Sequence, residues 1–155
     1  MEGSEQRLVR RTVDASIEQC VRVAVDIPSY PRWAEGVQEA VVTDIGGDGL
    51  VKKARFVAAA HGRVVTYELE YSTQHLPHSL SWTLVRGDIV QMLSGSYGFA
   101  PSLDEPDQTD VIYQLEVALF VPVPGFVRRR AEDILMSNAL ERFSGEVARR
   151  AQIGQ

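Results

Sequence analysis

After Val37 the chain changes its rhythm. Apolar and polar residues alternate in six successive runs. Turn signals separate them: "GGDG" at 46–49, "HG" at 61–62, "LPH" at 76–78, "RGD" at 86–88 and "APSLDEPDQ" at 100–108. Links this short join strands that run mainly antiparallel. The β-like stretch from Arg7 to Val13 raises the expected number of strands to about seven. The "VPVPG" at 121–125 ends the alternation and launches a helical period that reaches about Arg150. Roughly 25 residues at ~1.5 Å each give that helix a length near 37 Å.

The alternation also assigns faces. Val65, Tyr67, Leu69 and Tyr71 share one side of their run, and Thr66, Glu68 and Glu70 share the other. Leu80, Trp82 and Leu84 line up in the next run; Val111, Tyr113, Leu115, Val117 and Leu119 do so in the last. One dry and one wet face is the pattern of an antiparallel sheet covered on one side. On the final helix Met136, Ala139, Leu140, Phe143 and Val147 form a stripe that fits across the dry face. The expected fold is therefore α+β within a single domain, 1–155. A curved seven-stranded antiparallel sheet grips one long C-terminal helix, and two short helices follow the first strand. In "SIEQ" Ser16 and Gln19 read as a capping box ahead of Ile17, Cys20, Val21 and Ala24. That helix must end before Pro28. A second is expected from about Pro31 to Gly36, with Tyr30 and Trp33 as plugs or a gate over one end of the sheet.

A helix about 10–12 Å across cannot cover seven strands spaced at roughly 4.8 Å. Either side chains fill the gap or a pocket remains. Ala54, Phe56, Ala58 and Ala60 alternate on one side of their run. These small residues permit close approach of the helix or leave room for a ligand. Trp33, Phe56, Tyr67, Leu69, Tyr71, Trp82, Leu84, Tyr97, Phe99, Tyr113 and Leu115 would form an apolar wall with polar tips. Met136, Ala139, Leu140 and Phe143 would close it from the helix.

Five segments carry a resemblance that spans nearly the whole chain: "DASIEQCVRVAVDIPSYPRWAEGV", "GDGLVKKARF", "GRVVTYELEY", "LSWTLVRGDIVQMLSGSYGF" and "VPVPGFVRRRAEDILMSNALERF". Together they resemble the START-related polyketide cyclase/dehydrase and lipid-transport superfamily, with its helix-grip or birch-pollen-allergen fold. The "DI-x-x-YP-x-W" element and the terminal helix resemble small bacterial members and the ubiquinone-binding branch. The resemblance implies a deep apolar cavity between sheet and C-terminal helix. In aromatase/cyclase members a pocket arginine and tyrosine orient the polyketide and move protons. Here Val37 stands where that tyrosine would sit and Tyr71 where the arginine would, a departure from the cyclase pattern.

The function expected first is binding or transport of a hydrophobic small molecule, such as a lipid, polyketide or isoprenoid quinone. The first alternative is a cyclase or dehydrase using Tyr67, Tyr71 or Tyr113 as acid/base groups. The second uses Arg128, Arg129 and Arg130, at the dipole-disfavoured start of the long helix, to meet an anionic ligand, a partner or a membrane surface. Glu132 and Asp133 partly offset these charges, and Glu132 falls on the side of Met136 and Phe143.

Other chemistries have little support. A formal charge of -5 disfavours nucleic-acid binding. No apolar run reaches the roughly eighteen residues of a membrane span. The charged N-terminus suggests a cytoplasmic protein. His61, His75 and His78 sit at turns, with too few companions for a metal site, and no cofactor is expected. Cys20 reads as core, and Ser94 and Ser96 lack the setting of a nucleophile elbow.

Overall fold

A computed structural model describes residues 5–60, 62–88, 90–119 and 125–153, with only the backbone described at 5, 6, 60, 119 and 125–137. Strand β1 (Glu5–Val13) leads into helix α1 (Ile17–Val25). At its start the Gln19 amide donates to Ser16 Oγ at 3.2 Å, and the Ser16 amide donates to Gln19 Oε1 at 2.9 Å. Both halves of the expected capping box are thus formed. A 3-10 turn (Ile27–Ser29) and a one-turn helix α2 (Tyr30–Trp33) follow. The expected helix to Gly36 is thus shorter. Ala34 is already extended, and Gly36 takes a left-handed φ of 84° that turns the chain into the sheet.

Six strands then run in succession: β2 (Val37–Ile45), β3 (Val51–Ala60), β4 (Arg63–Ser72), β5 (Ser79–Gly87), β6 (Val90–Pro101) and β7 (Thr109–Leu119). The long helix α3 covers Gly125–Gln152. All strands pair antiparallel in the order β1-β7-β6-β5-β4-β3-β2, so the last strand returns to the first, with Val9 opposite Tyr113. Register shifts in β2 and between Glu68 and Leu69 of β4 are bulges, which bend strands and increase twist.

The dry face is the one the alternation marks. Val65, Leu69, Tyr71, Leu80, Trp82 and Val111 are buried, as are Leu140, Phe143 and Val147 of the helix stripe. Glu68 departs from the expected wet face. It is buried because Arg86 reaches over it, 2.8 Å from one carboxylate oxygen, while Thr43 donates to the other at 3.0 Å. The "RGD" closes a hairpin. The Thr66 amide donates to the Asp88 carboxylate at 3.1 Å, which ties the turn to β4.

Candidate ligand-binding site

The inner surface carries a run of aromatic rings from inward-facing positions of five strands, β3 to β7. Trp82 of β5 lies 5.9 Å from Tyr71 of β4, 5.4 Å from Tyr97 of β6 and 6.2 Å from Tyr113 of β7. Toward the short helices, Phe56 stacks on Tyr67 at 5.4 Å and meets Tyr30 at 6.1 Å. Phe143 of α3 joins the two groups, 5.8 Å from Trp33 and 5.2 Å from Tyr97. Contacts of this length and tilt are the favourable edge-to-face and offset arrangements.

Of the residues expected to form the wall, Trp33, Phe56, Leu69, Tyr71, Trp82, Tyr97, Phe99, Leu140 and Phe143 are buried together. Tyr67, Leu84 and Tyr113 are partly buried and packed against them. Leu115 and Ala139 are half-buried. The side chains of Met136, Glu132, Arg128, Arg129 and Arg130 lie outside the described residues, as does His61.

The tyrosine hydroxyls differ from one another. Tyr30 donates to the Ala24 carbonyl. No hydrogen bond is found for those of Tyr67, Tyr71, Tyr97 and Tyr113 among the described residues, and none of the four is among the polar atoms sealed off without a partner. Burial pushes the Tyr67 phenol up to about 12. Burial, reinforced by the neighbouring tyrosines, also raises Tyr71, Tyr97 and Tyr113. All four therefore keep their protons across the physiological range. Each can donate a hydrogen bond, and none is poised to act as a base.

Other candidates separate from this surface. Cys20 is fully buried on the inner side of α1, and burial lifts its thiol to about 11, far from a reactive thiolate. His75 and His78 are exposed. Ser96 donates to Gln114 at 3.3 Å. Among the described residues no three His, Cys, Asp or Glu side chains are grouped to hold a metal, and no helix is long and apolar enough to cross a membrane.

Two features were not read from the sequence. The first is an ion-pair network around Glu146, which is buried on α3. Its carboxylate accepts hydrogen bonds from Arg32 at 2.9 Å, Arg149 at 2.9 and 3.0 Å, and Arg150 at 2.9 Å. Arg150 also donates to Asp26 at 2.9 Å, and Ser29 donates to the same Asp26 oxygen at 2.7 Å. A glutamate inside an apolar helix stripe, followed by arginines three and four residues on, was the available signal. The second is a groove of about 370 Å³ between the α2–β2 junction, β3 and α3. It is lined by Pro31, Arg32, Trp33, Ala34, Glu35, Gly36, Val37, Gln38, Ala59 and Arg142.

A strongly curved antiparallel sheet closed over one long helix, with aromatic residues between them, is the helix-grip fold of START-like proteins. The chain belongs to the polyketide cyclase / dehydrase and lipid transport family, whose sequence profile matches residues 8–152. Solved structures share the fold. A START superfamily protein from Mycobacterium smegmatis superposes with a TM-score of 0.83 at 19% identity, covering 96% of this chain and 99% of that one. The ZhuI aromatase/cyclase from Streptomyces sp. R1128 gives 0.77 at 15% identity, covering 96% of each chain. A major latex-like protein from Panax ginseng gives 0.67 at 10% identity, covering 94% of this chain and 98% of that one. At these identities the likeness is one of fold. No curated protein matches the sequence significantly.

Proposed function

We propose that this protein binds and carries a hydrophobic small molecule bearing oxygen functions along its body, held between the dry face of the sheet and α3. The reading rests on one observation: four tyrosines line that face with hydroxyls that find no partner among the described residues. Hydroxyls that are neither bonded within the described residues nor sealed off by them are free to meet oxygens brought in by a guest. The aromatic rings provide the apolar contact, worth ~25 cal/mol for each Å² removed from water. Lipids, polyketides and isoprenoid quinones all fit this description, and the family's name covers both lipid transport and polyketide chemistry.

Native mass spectrometry of the purified protein tests the reading. A co-purified apolar compound is expected, and Tyr71→Phe and Tyr97→Phe should each weaken its binding roughly three- to tenfold, the value of one net hydrogen bond. Binding that is indifferent to both changes would remove the tyrosines from the site.

A second reading follows from the same hydroxyls. Because they stay protonated, they can donate hydrogen bonds that polarise a ketone of a poly-β-keto chain. The fold shared with an aromatase/cyclase favours testing it. Cyclisation of such a substrate, abolished in Tyr71→Phe, would make the protein an enzyme. Binding without turnover would leave it a carrier.

A further inference from the structure

We infer that the groove beside Trp33 is a binding site for the carboxylate of an apolar acid, with Arg142 as its receptor. The inference rests on the carrier reading and names the chemistry of the ligand's polar end.

The groove's volume of about 370 Å³ falls in the range of small-molecule sites, roughly 300–1,000 Å³. Trp33, Val37 and Ala59 give it apolar walls, and Arg142 and Glu35 stand at its rim. Most arginines around it are already engaged. Arg32 and Arg150 both lie 2.9 Å from Glu146, and Arg150 also binds Asp26. Arg142 is different. Its Nε is 3.6 Å from Glu35 Oε1, an ion-pair distance too long for a good hydrogen bond. The Asn138 amide approaches the same oxygen at only 3.5 Å. The Arg142 fork thus has no acceptor at close range among the described residues, and Glu35 is a loose, displaceable companion.

A guanidinium held only by this loose ion pair suits a monoanion. Its two parallel N–H groups match a carboxylate, which sets less negative charge against Glu35 than a phosphate dianion would. Trp33, in the same wall, is 7% exposed, with its indole N–H sealed from solvent and without an acceptor among the described residues. From Trp33 the rings of Phe143 and Tyr97 continue inward at 5.8 and 5.2 Å, so the apolar wall of the groove is continuous with the aromatic core.

Isothermal titration of the full chain with dodecanoate and with dodecanol separates head from tail. Dodecanoate is expected to bind about tenfold more tightly, the scale of one charge-assisted hydrogen-bonded pair. Arg142→Gln should erase the difference, and Arg142→Lys should restore only part of it, because it keeps the charge and loses the fork. Glu35→Gln should tighten dodecanoate alone, by removing the competing carboxylate. Equal binding of the two probes, or a preference that survives Arg142→Gln, overturns the inference while leaving the carrier reading standing. If neither probe binds and mass spectra show no co-purified compound, both fail.

Discussion

Gly95 of β6 lies directly opposite Trp82 of β5, and an added Cβ would stand 2.7 Å from three atoms of the indole ring. The ring has little freedom to retreat, because Tyr71, Tyr97 and Tyr113 surround it. Gly95→Ala is therefore expected to destabilise the fold by about 1–3 kcal/mol, the usual cost of overpacking. A thermal melt followed by circular dichroism reads this as a lowered Tm. An unchanged Tm would mean that the ring can swing into open space beside it. The sequence marks Gly95 only as one residue of "LSGSYG". Its role depends on a partner thirteen residues away, brought opposite by the strand register.

At the scale of elements, the segment after α1 has a period of three. Asp26, Ser29 and Arg32 turn toward the Glu146 network, while Ile27, Tyr30 and Trp33 are buried in the core. Pro28 and Pro31 stay exposed. This is the eclipsed spacing of a 3-10 turn, so one short stretch presents a polar stripe and an apolar stripe at once. The polar stripe binds the segment to α3 through Glu146. Hydrogen bonds from Arg149, Arg32 and Arg150 hold that carboxyl well below the usual carboxylate range despite its burial. The folded chain thus takes up this proton less readily than the unfolded chain. The stabilisation is complete above an unfolded value of about 4.3 and is lost as pH falls toward the lower folded value. The wild type should therefore lose Tm between roughly pH 5 and pH 3 more steeply than Glu146→Gln, which has no proton to gain there. At neutral pH Glu146→Ala should cost about 3 kcal/mol in urea unfolding, because Arg150 is left largely buried without its main partner. Parallel pH profiles for wild type and Glu146→Gln would show that the network contributes nothing.

For the molecule as a whole, Phe143 is the keystone. It is fully buried and touches Trp33 on one side and Tyr97 on the other, so helix, short helices and sheet meet on one ring. Phe143→Ala should lower unfolding stability by about 3–5 kcal/mol, with the spread set by how far the walls collapse. Because the lost ring stands between sheet and helix, a surviving cavity should also admit bulkier ligands. Reduced stability with ligand size tolerance unchanged would place Phe143 in the core but away from the bound molecule.

The sequence by itself determined the seven strands, the dry face with Leu69, Tyr71 and Trp82, the capped first helix, and the stripe of Leu140, Phe143 and Val147. Each is a local periodicity, imposed by how a strand or helix divides its side chains between water and core. Only the tertiary structure decided which polar groups found partners. Arg32 and Glu146 are 114 positions apart, and nothing near either residue names the other. Glu68 could be read as wet until Arg86 and Thr43 closed over it. Glu35 and Arg142 became the rim of one groove only when α2 and α3 were laid side by side. Local pattern reports what a side chain avoids. The partner it obtains depends on distance through space, which no local pattern encodes.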